Sequence, residues 1–384
     1  MEKNKVSKSG FHLFNLFGFE VKLDWTWFFL AILIAWTLAA GYFPALSPNL
    51  PITTYWIMGI VGALGLFASI ILHELCHSLV GRLYGIPISG ITLFIFGGIA
   101  EMRDEPPSPK AEFLMAAAGP LLSLGLAILF YLLFQFGSYA KWPIPLNSVI
   151  SYLSMINFVV AIFNLLPGFP LDGGRILRSI LWWWTGNLKE ATQISSQGGT
   201  WLGFILIALG LLQFIQGALI AGLWMFLIGF FLQSMSKMSY RQLFIKEIFQ
   251  GESIGKYTKT DPVTVESSMT IQELVDNIFY KHYHKLYPVL DNGNLMGCIS
   301  FNEIREIEKE KWPTLQVRQV MSPCSPDLVI DMKADVIKTL QMMQAQGRGR
   351  LIVTNQGELY GVITLKDLMN VISLKLSLER KNTV

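Results

Sequence analysis

Between Trp25 and Gly81 only three Asp, Glu, Lys, Arg or His residues occur, and all three fall within His73-Glu74-Leu75-Cys76-His77. The surrounding run is apolar and long enough to cross a bilayer, where a backbone with no water to bond must be helical. A charge in hydrocarbon costs roughly 3 kcal/mol or more unless it is paired or metal-bound, so an isolated trio marks a functional site. Helix positions four apart share a face, which lets His73 and His77 hold one metal ion together. The Glu74 carboxylate beside them is suited to taking a proton from water.

Hydrophobic residues make up 52% of the chain and charged residues 15%, too apolar for a wholly soluble protein. The bias is uneven. Long apolar runs fill the chain up to Ser236, and beyond Lys237 charges become frequent in a soluble α/β pattern. Six membrane spans are expected, at about 24–43, 55–80, 112–136, 148–184 with a break near 166, 200–216 and 219–235. One set of short connections carries Lys3, Lys5, Lys8, Arg82, Arg103, Lys110, Lys189, Lys237, Arg241 and Lys246, whereas the opposite set carries Lys141 alone. By the positive-inside rule both termini are cytoplasmic and the protein sits in the cell membrane. No signal-peptide cleavage pattern precedes the first run, which is therefore expected to be retained. Trp182-Trp183-Trp184 reads as an interfacial anchor. No basic cluster is interleaved with aromatic residues, which argues against a nucleic-acid partner. Cys76, Cys298 and Cys324 form no paired framework.

A catalytic zinc site needs three protein ligands and one open position. Between Lys141 and Arg175 the sole Asp, Glu, Lys, Arg or His residue is Asp172, in Asn164-Leu165-Leu166-Pro167-Gly168-Phe169-Pro170-Leu171-Asp172-Gly173-Gly174. Its prolines and glycines break the helix, and unwound backbone at membrane depth is tolerated where it lines a protein cavity. His73, His77 and Asp172 are accordingly the expected Zn2+ ligands, one ion per chain. A helix cap at the break is the plainer reading of Asp172.

HELCH together with NLLPGFPLDGG resembles the site-2 protease family of intramembrane zinc metalloproteases. Gly97-Gly98 and Ala118-Gly119-Pro120 add to the likeness, which covers about residues 10–235. The resemblance implies peptide-bond hydrolysis in or near transmembrane segments of membrane proteins, by zinc-activated water with Glu74 as general base. It also suggests that the Asn164 amide helps hold substrate or oxyanion, although a plain hydrogen bond between helices is an equal alternative. Cys76 stands where the family usually has glycine and reads as a packing residue. Residues 116–119 are small and are likewise read as helix packing.

From Ile88 to Met102, Ile91, Leu93 and Ile95 alternate with Thr92, Phe94 and Phe96, and Gly97-Gly98 supplies a turn. A β-hairpin dipping into the membrane is expected, its edge free to take a substrate strand. A hairpin that only plugs the core is the competing reading.

Residues 253–308 and 309–373 read as two copies of one unit, each with an extended segment, a helix, a strand pair and a final helix. The arrangement resembles a tandem CBS domain. Gly361-Val362-Ile363-Thr364-Leu365-Lys366-Asp367 is the telling piece: the resemblance implies an adenine nucleotide (ATP or AMP), with Thr364 near phosphate and Asp367 on the ribose. The first copy has Glu303 where Asp is usual, and Arg348 and Arg350 could meet phosphates. Such modules commonly pair, so a homodimer is expected. The full reading is a polytopic α-helical protease domain over 1–236, a linker at 237–252, the two CBS repeats and a tail at 374–384. A membrane transporter or channel with a CBS tail is the runner-up; it does not require Glu74 beside the histidine pair.

Overall fold

A computed structural model describes residues 11–94, 97–102, 105–325 and 327–380. Lys3, Lys5, Lys8, Ile95, Phe96 and Arg103 lie outside them. The chain divides into two compact units after Leu243.

The first unit opens with a strand pair that the sequence reading did not anticipate, β1 (Phe11–Leu16) and β2 (Phe19–Leu23). Phe17 and Gly18 join them, both at positive φ, a two-residue hairpin turn between runs of alternating polarity. Five helices among the described residues are long and apolar enough to cross a membrane. These are α1 (Trp25–Leu46), α2 (Ile52–Leu83), α3 (Pro109–Tyr139), α4 (Ile144–Asn164) and, after the short α5 (Asp172–Thr185), α6 (Leu188–Ile215). The next helix, α7 (Leu219–Phe249), starts apolar and ends polar. Large apolar side chains such as Phe29, Ile32, Leu132 and Phe204 face outward, as a lipid environment requires of helices whose backbone is already satisfied.

Between α2 and α3 lie β3 (Ile88–Phe94) and β4 (Gly97–Met102), paired antiparallel as expected. Gly97 and Gly98 do not form the turn; they open β4, opposite Phe94 and Leu93. The hairpin is not isolated either. β2 runs parallel beside β3, giving the order β1-β2-β3-β4, so β3 is bonded on both sides and the edges are β1 and β4. The fourth apolar segment ends at Asn164, and its continuation is the separate helix α5. The intervening Pro167 and Pro170 lack the N–H that a continuous helix needs. Trp183 and Trp184, at the end of α5, are 84% and 86% exposed, in keeping with an interfacial anchor.

In the second unit β5 (Val265–Glu266), β6 (Leu286–Asp291), β7 (Asn294–Ser300) and β8 (Ser322–Pro323) make one sheet in that order. β9 (Val329–Asp331), β10 (Arg350–Asn355) and β11 (Glu358–Thr364) make the other. The repeats exchange segments: β8 pairs with β7 of the first copy, while Ile254 and Gly255 bond to Ala334 and Met332 of the second. Residues 237–252 are helical through Phe249. Phe249 is fully buried in the second repeat's core with Val336, Leu351, Val353 and Ile363, and Ile245 and Ile248 pack against it.

Candidate metal centre

His73 and His77, one turn apart on α2, are both buried. α3 lies alongside and presents Met115, Gly119 and Ser123 on one stripe of fourfold spacing. The His77 Nδ1–H donates to the Met115 carbonyl at 2.6 Å, and His73 Nδ1 bonds Ser123 Oγ at 2.8 Å. Holding each Nδ1 in this way turns both Nε2 atoms inward, and the carbonyl partner leaves His77 Nε2 as a lone-pair donor. Asp172, first residue of α5, brings Oδ2 to 3.0 Å from His73 Nε2 and 3.2 Å from His77 Nε2, and the two nitrogens stand 3.1 Å apart.

Three electron-pair donors thus converge, and a cation reconciles them. Tetrahedral zinc with bonds of about 2.0–2.1 Å sets its ligand atoms about 3.3 Å apart, close to the spacing found, so the residues fit the ion. Among the described residues these three form the one cluster of metal-ligating side chains, and Cys76 is outside it. Gly119 makes the room: a Cβ there would lie 2.3 Å from His77 Nε2 and 2.6 Å from His73 Nε2. The stretch 116–119, expected only to pack helices, therefore also shapes the site. The fourfold spacing of Met115, Gly119 and Ser123 was the signal available in the sequence.

Glu74 is half-buried next to the pair, and the charged groups acting on it are His77, His73, Asp172 and Arg175. Asn164 is the last residue of α4, half-buried, eight residues before Asp172. Around the break the chain folds tightly onto itself. A Cβ on Gly173 would meet the Leu165 carbonyl oxygen at 2.2 Å, and one on Gly174 would meet the Gly168 carbonyl carbon at 2.3 Å. The glycines after Asp172 are required by that close approach. Farther along α5, Arg178 is buried against the fully buried Glu112 of α3, with Nε to Oε1 at 2.6 Å, and reaches Glu105 at 3.2 Å. Splitting a buried pair of this kind costs about 3–5 kcal/mol, which ties α5, and Asp172 with it, to α3.

In the CBS repeats Thr364 and Asp367 meet each other: Thr364 Oγ1 donates to Asp367 Oδ2 at 2.5 Å, capping the final helix α11 (Leu365–Arg380; α8 to α10 are Ile271–Leu274, Phe301–Arg305 and Val336–Ala345). Lys259 holds the other Asp367 oxygen at 3.0 Å. Partial burial works against ionisation of Asp367, but the Thr364 and Lys259 hydrogen bonds hold its carboxyl below the ordinary range.

The chain matches the family model for Peptidase family M50 over residues 61–141 and 137–207, and that for the CBS domain over 254–310 and 317–374. It is 32% identical over 311 residues to "Zinc metalloprotease MJ0392" of Methanocaldococcus jannaschii, covering 80% of this chain and 84% of that one. Rip3 of Mycobacterium tuberculosis is 30% identical over 359 residues, 93% of this chain and 91% of its own. A solved site-2 protease from Methanocaldococcus jannaschii is 29% identical, covers 60% of this chain and 95% of its own, and superposes with a TM-score of 0.44. With a His–His–Asp cluster between apolar helices and a likeness spanning both units, this chain belongs to peptidase family M50, as an intramembrane zinc metalloprotease of the site-2 type carrying a tandem CBS module.

Proposed function

We propose that this protein cleaves membrane-protein substrates within or beside their transmembrane segments, with His73, His77 and Asp172 holding the zinc and Glu74 moving the proton. The convergence of three inward electron-pair donors beside the Glu74 carboxylate, which makes no side-chain hydrogen bond among the described residues, carries this reading. Zinc held there supplies Lewis acidity to a water molecule and to the scissile carbonyl. Glu74 accepts the proton of the attacking water as the carbon–oxygen bond forms. It returns that proton to the amine nitrogen as the carbon–nitrogen bond breaks. Asn164, whose amide makes no hydrogen bond among the described residues, is available to the substrate backbone. Within this hairpin β3 is bonded on both sides, so an extended substrate strand adds at the edge of β4, which Gly97 and Gly98 open. Metal analysis tests the site. About one zinc per wild-type chain is expected, and Asp172→Ala should lose it; zinc retained in that variant would refute the ligand set.

The membrane domain, 1–236, then has six spans, α7 supplying the sixth through its apolar first half, with the β3–β4 hairpin dipping into the bilayer. The Lys/Arg asymmetry supports cytoplasmic termini.

The CBS repeats, at 253–308 and 309–373, bind one adenine nucleotide, at the second copy. In the first, Glu303 is committed at both oxygens, to Ser300 and, at 2.8 Å, to Ser322 of β8. In the second, Asp367 is held by Lys259, which is 74% exposed and free to swing away. His284 is kept below its ordinary pKa by partial burial, then by the charges of His282, Arg350 and Lys259, so a cationic cluster suited to phosphate stands close by. The exposed apolar side chains of the module, among them Tyr280, Phe301 and Leu374, favour pairing with a second copy. Asp367→Ala should weaken ATP binding about tenfold, the worth of one charge-assisted hydrogen bond; unchanged affinity would exclude this site. In inside-out membrane vesicles ATP should bind, and in right-side-out vesicles it should not, which tests the orientation as well.

A further inference from the structure

The loop between Asn164 and Asp172 has no regular secondary structure; Gly168 and Leu171 donate within it, to Leu166 and Gly168, and other backbone groups need partners outside it. Phe169, three residues before the third ligand, is buried and finds both of its own on other helices. Its N–H donates to the Ser195 carbonyl of α6 at 3.1 Å, and its carbonyl accepts from the Ser236 hydroxyl of α7. Ser236 is itself fully buried, and its own carbonyl accepts from Ser196 Oγ at 2.5 Å, which sets α6 and α7 level with each other at this point. The loop is pressed close: a Cβ on Gly199 would lie 1.8 Å from the Phe169 oxygen and 2.2 Å from Ser236 Oγ.

We propose that Ser236 is a positioning residue for the metal centre. Its hydroxyl anchors the Phe169 carbonyl, and through that anchor α7 sets where the Asp172 carboxylate stands relative to His73 and His77. A ligand must be held within about 0.5 Å of its working position, and the histidines are each fixed by a partner on α3. Among the described residues the Asp172 side chain has no equivalent partner outside the cluster, so its placement falls to the loop and to the Arg178 tether. Losing the Ser236 hydroxyl leaves a buried carbonyl with no donor and lets the loop turn to find one. This inference rests on zinc ligation by Asp172.

The test uses the full-length protein in detergent. Zinc affinity is measured by competition with a coloured chelator, and the apoprotein loaded with cobalt(II) reports ligand geometry through its visible absorption. Ser236→Ala should bind zinc about 10–100-fold more weakly, the usual effect of removing support from a metal ligand, and should shift the cobalt bands. Ser234→Ala, an exposed hydroxyl bonded within its own helix to Phe230, should match wild type. A stability loss in Ser236→Ala with wild-type zinc affinity and cobalt spectrum would overturn the proposal, since that is the signature of packing alone. If Ser236→Ala does not fold, Ser236→Cys, which puts a longer and weaker donor where the hydroxyl stood, is read the same way and decides it. Asp172→Ala separates the two failures: zinc kept there refutes the ligand set, whereas zinc lost there but unaffected in Ser236→Ala refutes only the anchor.

Discussion

Glu74→Gln should abolish peptide cleavage while leaving one zinc per chain. The substitution keeps the size and hydrogen-bonding shape of the side chain and removes its capacity to accept a proton, and Glu74 is outside the ligand cluster. General-base catalysis contributes roughly 100- to 10 000-fold, so the rate on a co-reconstituted single-span protein that wild type cleaves should fall by that factor. Zinc content by elemental analysis should not move. A variant that still cleaves at the wild-type rate would remove Glu74 from the reaction. One that keeps zinc and loses cleavage would also set aside a transporter or channel, since neither needs a base beside the metal.

Gly119→Ala is expected to empty the centre without altering any ligand. Its methyl group would fall 2.3 Å from His77 Nε2 and 2.6 Å from His73 Nε2, well inside contact distance, and both rings are held from behind by Met115 and Ser123. The rings therefore cannot retreat without breaking those bonds, and α3 cannot withdraw without disturbing Glu112 and its pair with Arg178. Zinc affinity should drop by more than about 100-fold, beyond the loss of a single supporting contact. Chelator competition on the purified variant measures it. Normal zinc binding would mean that α3 yields more easily than its neighbours suggest. Substitution at Gly125, where a Cβ meets nothing within 4 Å, is the matched control.

The three ligands were legible in the sequence because hydrocarbon removes the ambiguity that water allows. In a soluble chain an Asp after a Gly–Pro break would be one surface carboxylate among many; between Lys141 and Arg175 Asp172 stands alone. The same one-dimensional economy made the apolar helices and the two CBS copies readable, since span length and a repeated pattern are properties of neighbouring residues. The strand pair at Phe11–Leu16 and Phe19–Leu23 escaped notice. Its alternation is short, and the partner that orders it, β3, lies some 70 residues on. Gly18, which sits in the turn between the two strands, was the one local clue.

What the sequence determined by itself was which groups are the candidates for the chemistry: a histidine pair one turn apart, a carboxylate beside it, and a lone Asp at a broken helix. Only the tertiary structure decided what holds them in place. Gly119 matters because α3 passes the Nε2 atoms of both imidazoles there, between its contacts at Met115 and Ser123, and Ser236 because α7 meets a loop some 67 residues earlier in the chain. The same is true of Phe249, which is buried with Val336, Leu351 and Ile363 of its own unit. Their roles come from close approach between distant segments, and local pattern carries no record of which backbone will pass within contact of which.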